Sequence, residues 1–121
     1  MTDVYKCLIV DDDPMTCHLL KLQLEMEGYP CVTLSDPEQV LAVIAAESPA
    51  LVLADFHLGT LDGLGLLRTI RSHEEYHYLP VVIMSAIDYQ EACETGGADG
   101  FVLKPFNLQD LESTIQKALR G

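Results

Sequence analysis

The chain has 121 residues, of which 49% are apolar. That suits one domain with one buried core and excludes a disordered chain. Its formal net charge is −12, from 19 acidic and 7 basic residues, so this segment is not expected to bind nucleic acid directly or to sit on an anionic membrane.

The N-terminal Met1-Thr2-Asp3-Val4-Tyr5-Lys6 lacks the apolar stretch of a signal peptide, and no run is long enough to span a bilayer. The cytoplasm is the expected location. Strand-like runs begin near residues 4, 30, 50, 80 and 100 and alternate with segments of helical periodicity. Met15, Leu19, Leu22 and Met26 follow the spacing of one helix face, and Gly28 reads as that helix's C-terminal stop. Asp36-Pro37-Glu38-Gln39 is a helix start, continued by Val40, Val43, Ile44 and Glu47. Leu64, Leu67 and Ile70 mark a third helix. Between Ser85 and Gly97 there is room only for a short fourth one, roughly Tyr89 to Glu94. Asn107 caps the last, with Leu108, Leu111, Ile115 and Leu119 inward. Five βα units of this kind predict an α/β fold with a parallel sheet covered on both faces.

Cys7, Cys17, Cys31 and Cys93 show no Cys-x-x-Cys and no zinc-type spacing, so buried reduced thiols are expected. His73-Glu74-Glu75-Tyr76-His77 matches His-Glu-x-x-His in letters. It falls at the end of a helix, with little apolar content around it, and reads as a solvated helix end rather than a zinc site. His18 is isolated and is given no role.

Four apolar runs end in residues suited to phosphate chemistry. Leu8-Ile9-Val10 leads to Asp11-Asp12-Asp13, and Leu51-Val52-Leu53-Ala54 to Asp55. Val81-Val82-Ile83-Met84 leads to Ser85, and Phe101-Val102-Leu103 to Lys104-Pro105. Right-handed crossovers would bring all four endings to one sheet edge, where open α/β sheets bind ligands. Two carboxylates about 4 Å apart repel by about 4 kcal/mol at an effective dielectric near 20. Mg²⁺ would relieve that repulsion, because it takes one or two carboxylates, water and a phosphate oxygen. Three aspartates alone fit a solvated loop; together with Asp55, Ser85 and Lys104 they read as a site. Asp55 is suited to attack phosphorus, Lys104 to supply a cation and Ser85 a hydroxyl. Asp13 is expected to be a bystander.

These motifs, with Val10 through Pro14, Asp62-Gly63, Ser85-Ala86 and Gly100 through Phe106, resemble in identity, order and spacing a receiver domain of a two-component response regulator, similar to the chemotaxis-type receivers. The resemblance covers essentially residues 1–121, as one domain that is either complete or cut from a longer protein. It implies a flavodoxin-like doubly wound (βα)5 fold, strand order 2-1-3-4-5, and a phosphorylation-dependent switch rather than a turnover enzyme. Asp55 would be the phosphoacceptor, served by a histidine kinase or phosphotransfer protein. Asp11, Asp12, Asp55 and the backbone carbonyl of His57 would hold Mg²⁺. Lys104 would contact the phosphoryl group, and its bond to Pro105 would be cis. Ser85 and Phe101 would form the switch, with phenylalanine lacking the hydroxyl that a tyrosine brings. The implied readout is an output domain or target protein, with a homodimer formed through the face of the fourth helix, fifth strand and fifth helix. The shortened fourth helix bears on that face. Gly59 stands where the family usually has proline. His57 and Ile87 occupy positions that tune phosphoryl lifetime in the family.

Overall fold

The computed structural model describes residues 4–121; Met1, Thr2 and Asp3 of the N-terminal reading lie outside the described residues. Five strands alternate with five α-helices. In chain order these are β1 Cys7–Val10, α1 Pro14–Met26, β2 Cys31–Leu34, a 3-10 turn Pro37–Gln39 running into α2 Val40–Glu47, β3 Leu51–Asp55, α3 Gly63–Arg71, β4 Val81–Ser85, α4 Gln90–Thr95, β5 Gly100–Leu103 and α5 Leu108–Arg120. The sheet order is β2-β1-β3-β4-β5, and every pair is parallel. The fold is the flavodoxin-like doubly wound arrangement, with the short fourth helix expected from the sequence.

Side chains alternate between the two faces of the sheet, which divides the core into two layers. Leu8, Val10, Val52, Ala54 and Ile83 pack with Val40 and Ile44 of α2, with Leu66, Leu67 and Ile70 of α3, and with Cys93 of α4. Cys7, Ile9, Leu51, Leu53, Val82 and Met84 pack with Leu20 and Leu24 of α1 and with Leu111 and Ile115 of α5. β1, β3 and β4 are buried along their whole length, while β2 and β5 are half covered, as befits edge strands. All four cysteines are free and buried.

Several helical segments begin on a side-chain cap, whereas α2 and α4 begin without one. The Asp36 carboxylate accepts the Glu38 amide, Asp62 the Gly65 amide, and Asn107 the Asp110 amide. Arg71 ends α3 by donating to the carbonyls of His77, Leu79 and Gly97 and to the Asp99 carboxylate, tying α3 to the strands that follow.

Three expectations need correction. Met15, Leu19, Leu22 and Met26 do share a face of α1, but it is the solvent face: they are 63%, 53%, 47% and 84% exposed, and Cys17, Leu20 and Leu24 are buried instead. Asp13 is no bystander, because it caps α1 through the Met15 amide (3.1 Å) and the Thr16 hydroxyl (2.8 Å). The His73–His77 segment is a turn beyond the end of α3, where His73 stacks on Tyr76 and its Nδ1 accepts the Glu75 amide. With no helix there to place the two histidines on one face, the zinc reading loses its geometric basis.

Candidate functional site

The parallel register brings the four strand endings to one edge. Asp55 lies opposite Met84 and Ser85 opposite Leu103, so β3, β4 and β5 deliver Asp55, Ser85 and Lys104 side by side. Backbone bonds continue past the strands and fix these residues: Asp11 N–H to Leu34 O (3.1 Å), Phe56 N–H to Met84 O (2.8 Å) and Lys104 N–H to Ser85 O (2.8 Å). The Lys104–Pro105 peptide is cis.

Asp55 is 8% exposed, and both its oxygens are engaged. Oδ1 accepts from Lys104 Nζ at 2.7 Å, and Oδ2 accepts from the His57 amide at 3.0 Å. Lys104 is one-third exposed, so its charge is partly screened from the far side. Asp11 is 3% exposed. Its Oδ1 accepts the Asp13 amide at 2.9 Å, whereas its Oδ2 is buried without a hydrogen-bond partner. Burial pushes the Asp11 carboxyl pKa up, and the charges of Asp55 and Asp12 push the same way against the Asp13 amide and Lys104. Asp12 is exposed.

The loop from His57 to Asp62 closes on itself through a bridge between those two residues. Gly59 takes φ 81°, and a Cβ there would stand 3.8 Å from Asp12 Oδ2, so the loop passes close to the acidic pair. At Gly63 a Cβ would come within 3.0 Å of the Phe56 ring and 3.2 Å of its Cα, so any larger residue would have to push α3 and Phe56 apart by a few tenths of an ångström.

This donor set fits a small hard cation. A buried carboxylate oxygen with no partner, beside a second carboxylate, gains from a counter-charge whenever it is ionised. Among the described residues no three acidic, imidazole or thiol side chains converge as a full metal cage. Mg²⁺ does not need one, since it keeps several waters and takes one or two carboxylates.

Ser85 is 1% exposed, and its Oγ accepts from the Ile87 amide at 3.1 Å. Phe101 is half-buried and packs against the core layer of α2 and α3. The side chains of His57 and Ile87 are exposed. Sequence spacing gave no sign of a ring stack between Phe56 and Tyr89, 4.1 Å apart and 20° from parallel, with the His57 ring edge-on to both.

The response regulator receiver domain family matches residues 7–116. This chain is a member of that family. A receiver domain is a signalling switch of two-component systems rather than an enzyme in the ordinary sense. This one is 35% identical over 118 residues to the protein described as "Probable transcriptional regulator ycf27" of Cyanophora paradoxa, covering 95% of this chain and 48% of that one. It is 31% identical over 116 residues to the phosphate regulon transcriptional regulatory protein PhoB of Pseudomonas aeruginosa, covering 93% of this chain and 51% of PhoB. The chain thus spans about half the length of the curated relatives it matches. Among solved structures, the BeF3-activated N-terminal receiver domain of RstA from Klebsiella pneumoniae superposes with a TM-score of 0.84 at 28% identity, covering 96% of this chain and 99% of that one. A response regulator receiver domain protein from Clostridium thermocellum gives 0.86 at 26%, covering 96% and 94%.

Proposed function

We propose that this receiver domain takes a phosphoryl group onto Asp55 from a histidine kinase or phosphotransfer protein, and that the acyl phosphate shifts the domain between two conformations. The observation that carries this reading is the Lys104 Nζ–Asp55 Oδ1 contact of 2.7 Å at the edge where Asp11 holds a buried, unpartnered oxygen. In the transfer, one Asp55 carboxylate oxygen attacks phosphorus in line as the bond from phosphorus to the donor's imidazole nitrogen breaks. Lys104 gives up part of its hold on the carboxylate to meet the charge on the phosphoryl oxygens. Asp11, Asp12, Asp55 and the His57 carbonyl would hold Mg²⁺, which when bound would supply positive charge against the phosphoryl oxygens.

Ser85 reads the result. Its Oγ leaves the Ile87 amide and donates to a phosphoryl oxygen, and half-buried Phe101 repacks with it. His57 and Ile87 tune the lifetime of the phosphoryl group: their amides bond Asp55 and Ser85, which ties both residues to the site, and their side chains are exposed. Output passes to an attached domain or a target protein in the cytoplasm. Homodimerisation runs through the α4-β5-α5 face, where Leu103 is 46% exposed.

The test is incubation with a small phosphodonor and Mg²⁺, followed by intact mass and a decay time course. A gain of one phosphoryl group that vanishes in Asp55→Asn is expected, with faster decay in Ile87→Ala and a changed decay in His57→Ala. No gain with any donor would leave a constitutive interaction module. Unchanged decay in both variants would remove the tuning role.

A further inference from the structure

Of the residues between Ser85 and α4, Ala86, Ile87 and Asp88 are exposed, Ile87 by 52%. Tyr89 is the half-buried one, and its ring lies flat on Phe56 at 4.1 Å with the His57 ring 6.1 Å away and edge-on. Phe56 is a fixed platform. Its amide is bonded to Met84 O at 2.8 Å, its carbonyl to the Gly63 amide at 2.7 Å, and its ring is 6% exposed. It is also the residue after Asp55. The stack therefore joins the acceptor's own strand to the loop that begins at Ser85. The Ile87 amide holds the Ser85 hydroxyl in its resting place, and half-buried Tyr89 is the residue of this segment that fixes where that amide stands.

We infer that Tyr89 is a positioning residue: its ring, clamped on Phe56 beside the acceptor, holds the Ser85–Tyr89 loop in its resting conformation and sets how readily Ser85 reaches a phosphoryl group. This rests on Asp55 as phosphoacceptor and Ser85 as the hydroxyl that follows it. A stacked aromatic pair of this kind biases an equilibrium about two- to tenfold.

The experiment is calorimetric titration of the full chain with beryllofluoride in saturating Mg²⁺, a stand-in for the phosphoryl group that is bound but not transferred. Tyr89→Ala loses the clamp of the resting state only, so it binds about two- to tenfold tighter than the parent chain. Tyr89→Phe keeps the ring and the parental affinity. Tyr89→Leu keeps apolar bulk without a ring; it shows the same gain and stands in if Tyr89→Ala does not fold. Unchanged or weaker binding in the folded Ala or Leu variant overturns the clamp while leaving the phosphoacceptor reading in place. A Phe variant that behaves like Ala also overturns it, by assigning the role to the hydroxyl. No binding by the parent chain overturns the phosphoacceptor reading, and the clamp with it.

Discussion

Asp11, Asp12 and Asp13 are adjacent and chemically identical, and the fold places them differently: Asp11 is buried, Asp12 is exposed, and exposed Asp13 caps α1. Asp13 turns to the helix and accepts the Met15 amide and the Thr16 hydroxyl, so Asp13→Ala should lower stability by about 1 kcal/mol in urea unfolding. That role was legible: Asp13-Pro14 is the same cap-plus-proline start as Asp36-Pro37, hidden inside a run that drew attention to metal binding. Asp11 turns the other way, into the sheet edge. Burial is the main cause holding its pKa above the ordinary carboxylate value of 3.8, with Asp55 and Asp12 adding to it. A carboxyl whose pKa is raised on folding costs stability when ionised. The cost is absent at pH below the unfolded pKa and grows as pH rises through the folded one. In chelator, Asp11→Asn should therefore be more stable than the parent at pH 7, and the gap should close as pH falls toward 4, read from urea unfolding across that range.

At the scale of elements, α1 carries two apolar stripes, and its sequence does not say which one meets the sheet. At about 100° per residue, Met15, Leu19, Leu22 and Met26 lie on one side and Cys17, Leu20 and Leu24 on the opposite side. The regular spacing of the first set made it look like the core face. The choice is made by the entry of the chain from β1 through the Asp13 cap, which is a matter of three dimensions and not of periodicity. Leu24→Ala should cost about 2–5 kcal/mol, whereas Leu22→Gln should stay within about 0.5 kcal/mol, both by urea denaturation. A large loss in Leu22→Gln would mean that the helix is turned the other way. The strands were easier to read. Runs that are apolar at every position announce a sheet covered on both sides, and Asp11, Asp55, Ser85 and Lys104 each stood directly after such a run. The Phe56–Tyr89 stack and the reach of Arg71 to Gly97 and Asp99 were illegible for the opposite reason: their partners are distant in the chain and are brought together by neighbouring strands in register.

For the whole molecule, the net charge of −12 and the clustered carboxylates act over different distances. The diffuse surface charge is screened by any salt, because the Debye length falls from about 30 Å at 0.01 M to about 8 Å at 0.15 M. The cluster at the ends of β1 and β3 is local, with one oxygen of Asp11 buried, and screening by mobile ions reaches it poorly. The two contributions separate in one thermal-melting experiment. NaCl should raise the melting temperature through screening alone. MgCl2 at matched ionic strength should raise it further, by about 2.7 kcal/mol of stability when Mg²⁺ is at a hundred times its dissociation constant. Paired Asp11→Asn and Asp12→Asn substitutions should keep the NaCl response and lose the extra Mg²⁺ response. Equal responses to the two salts in the parent chain would place the cation on the diffuse surface charge and remove it from this edge of the sheet.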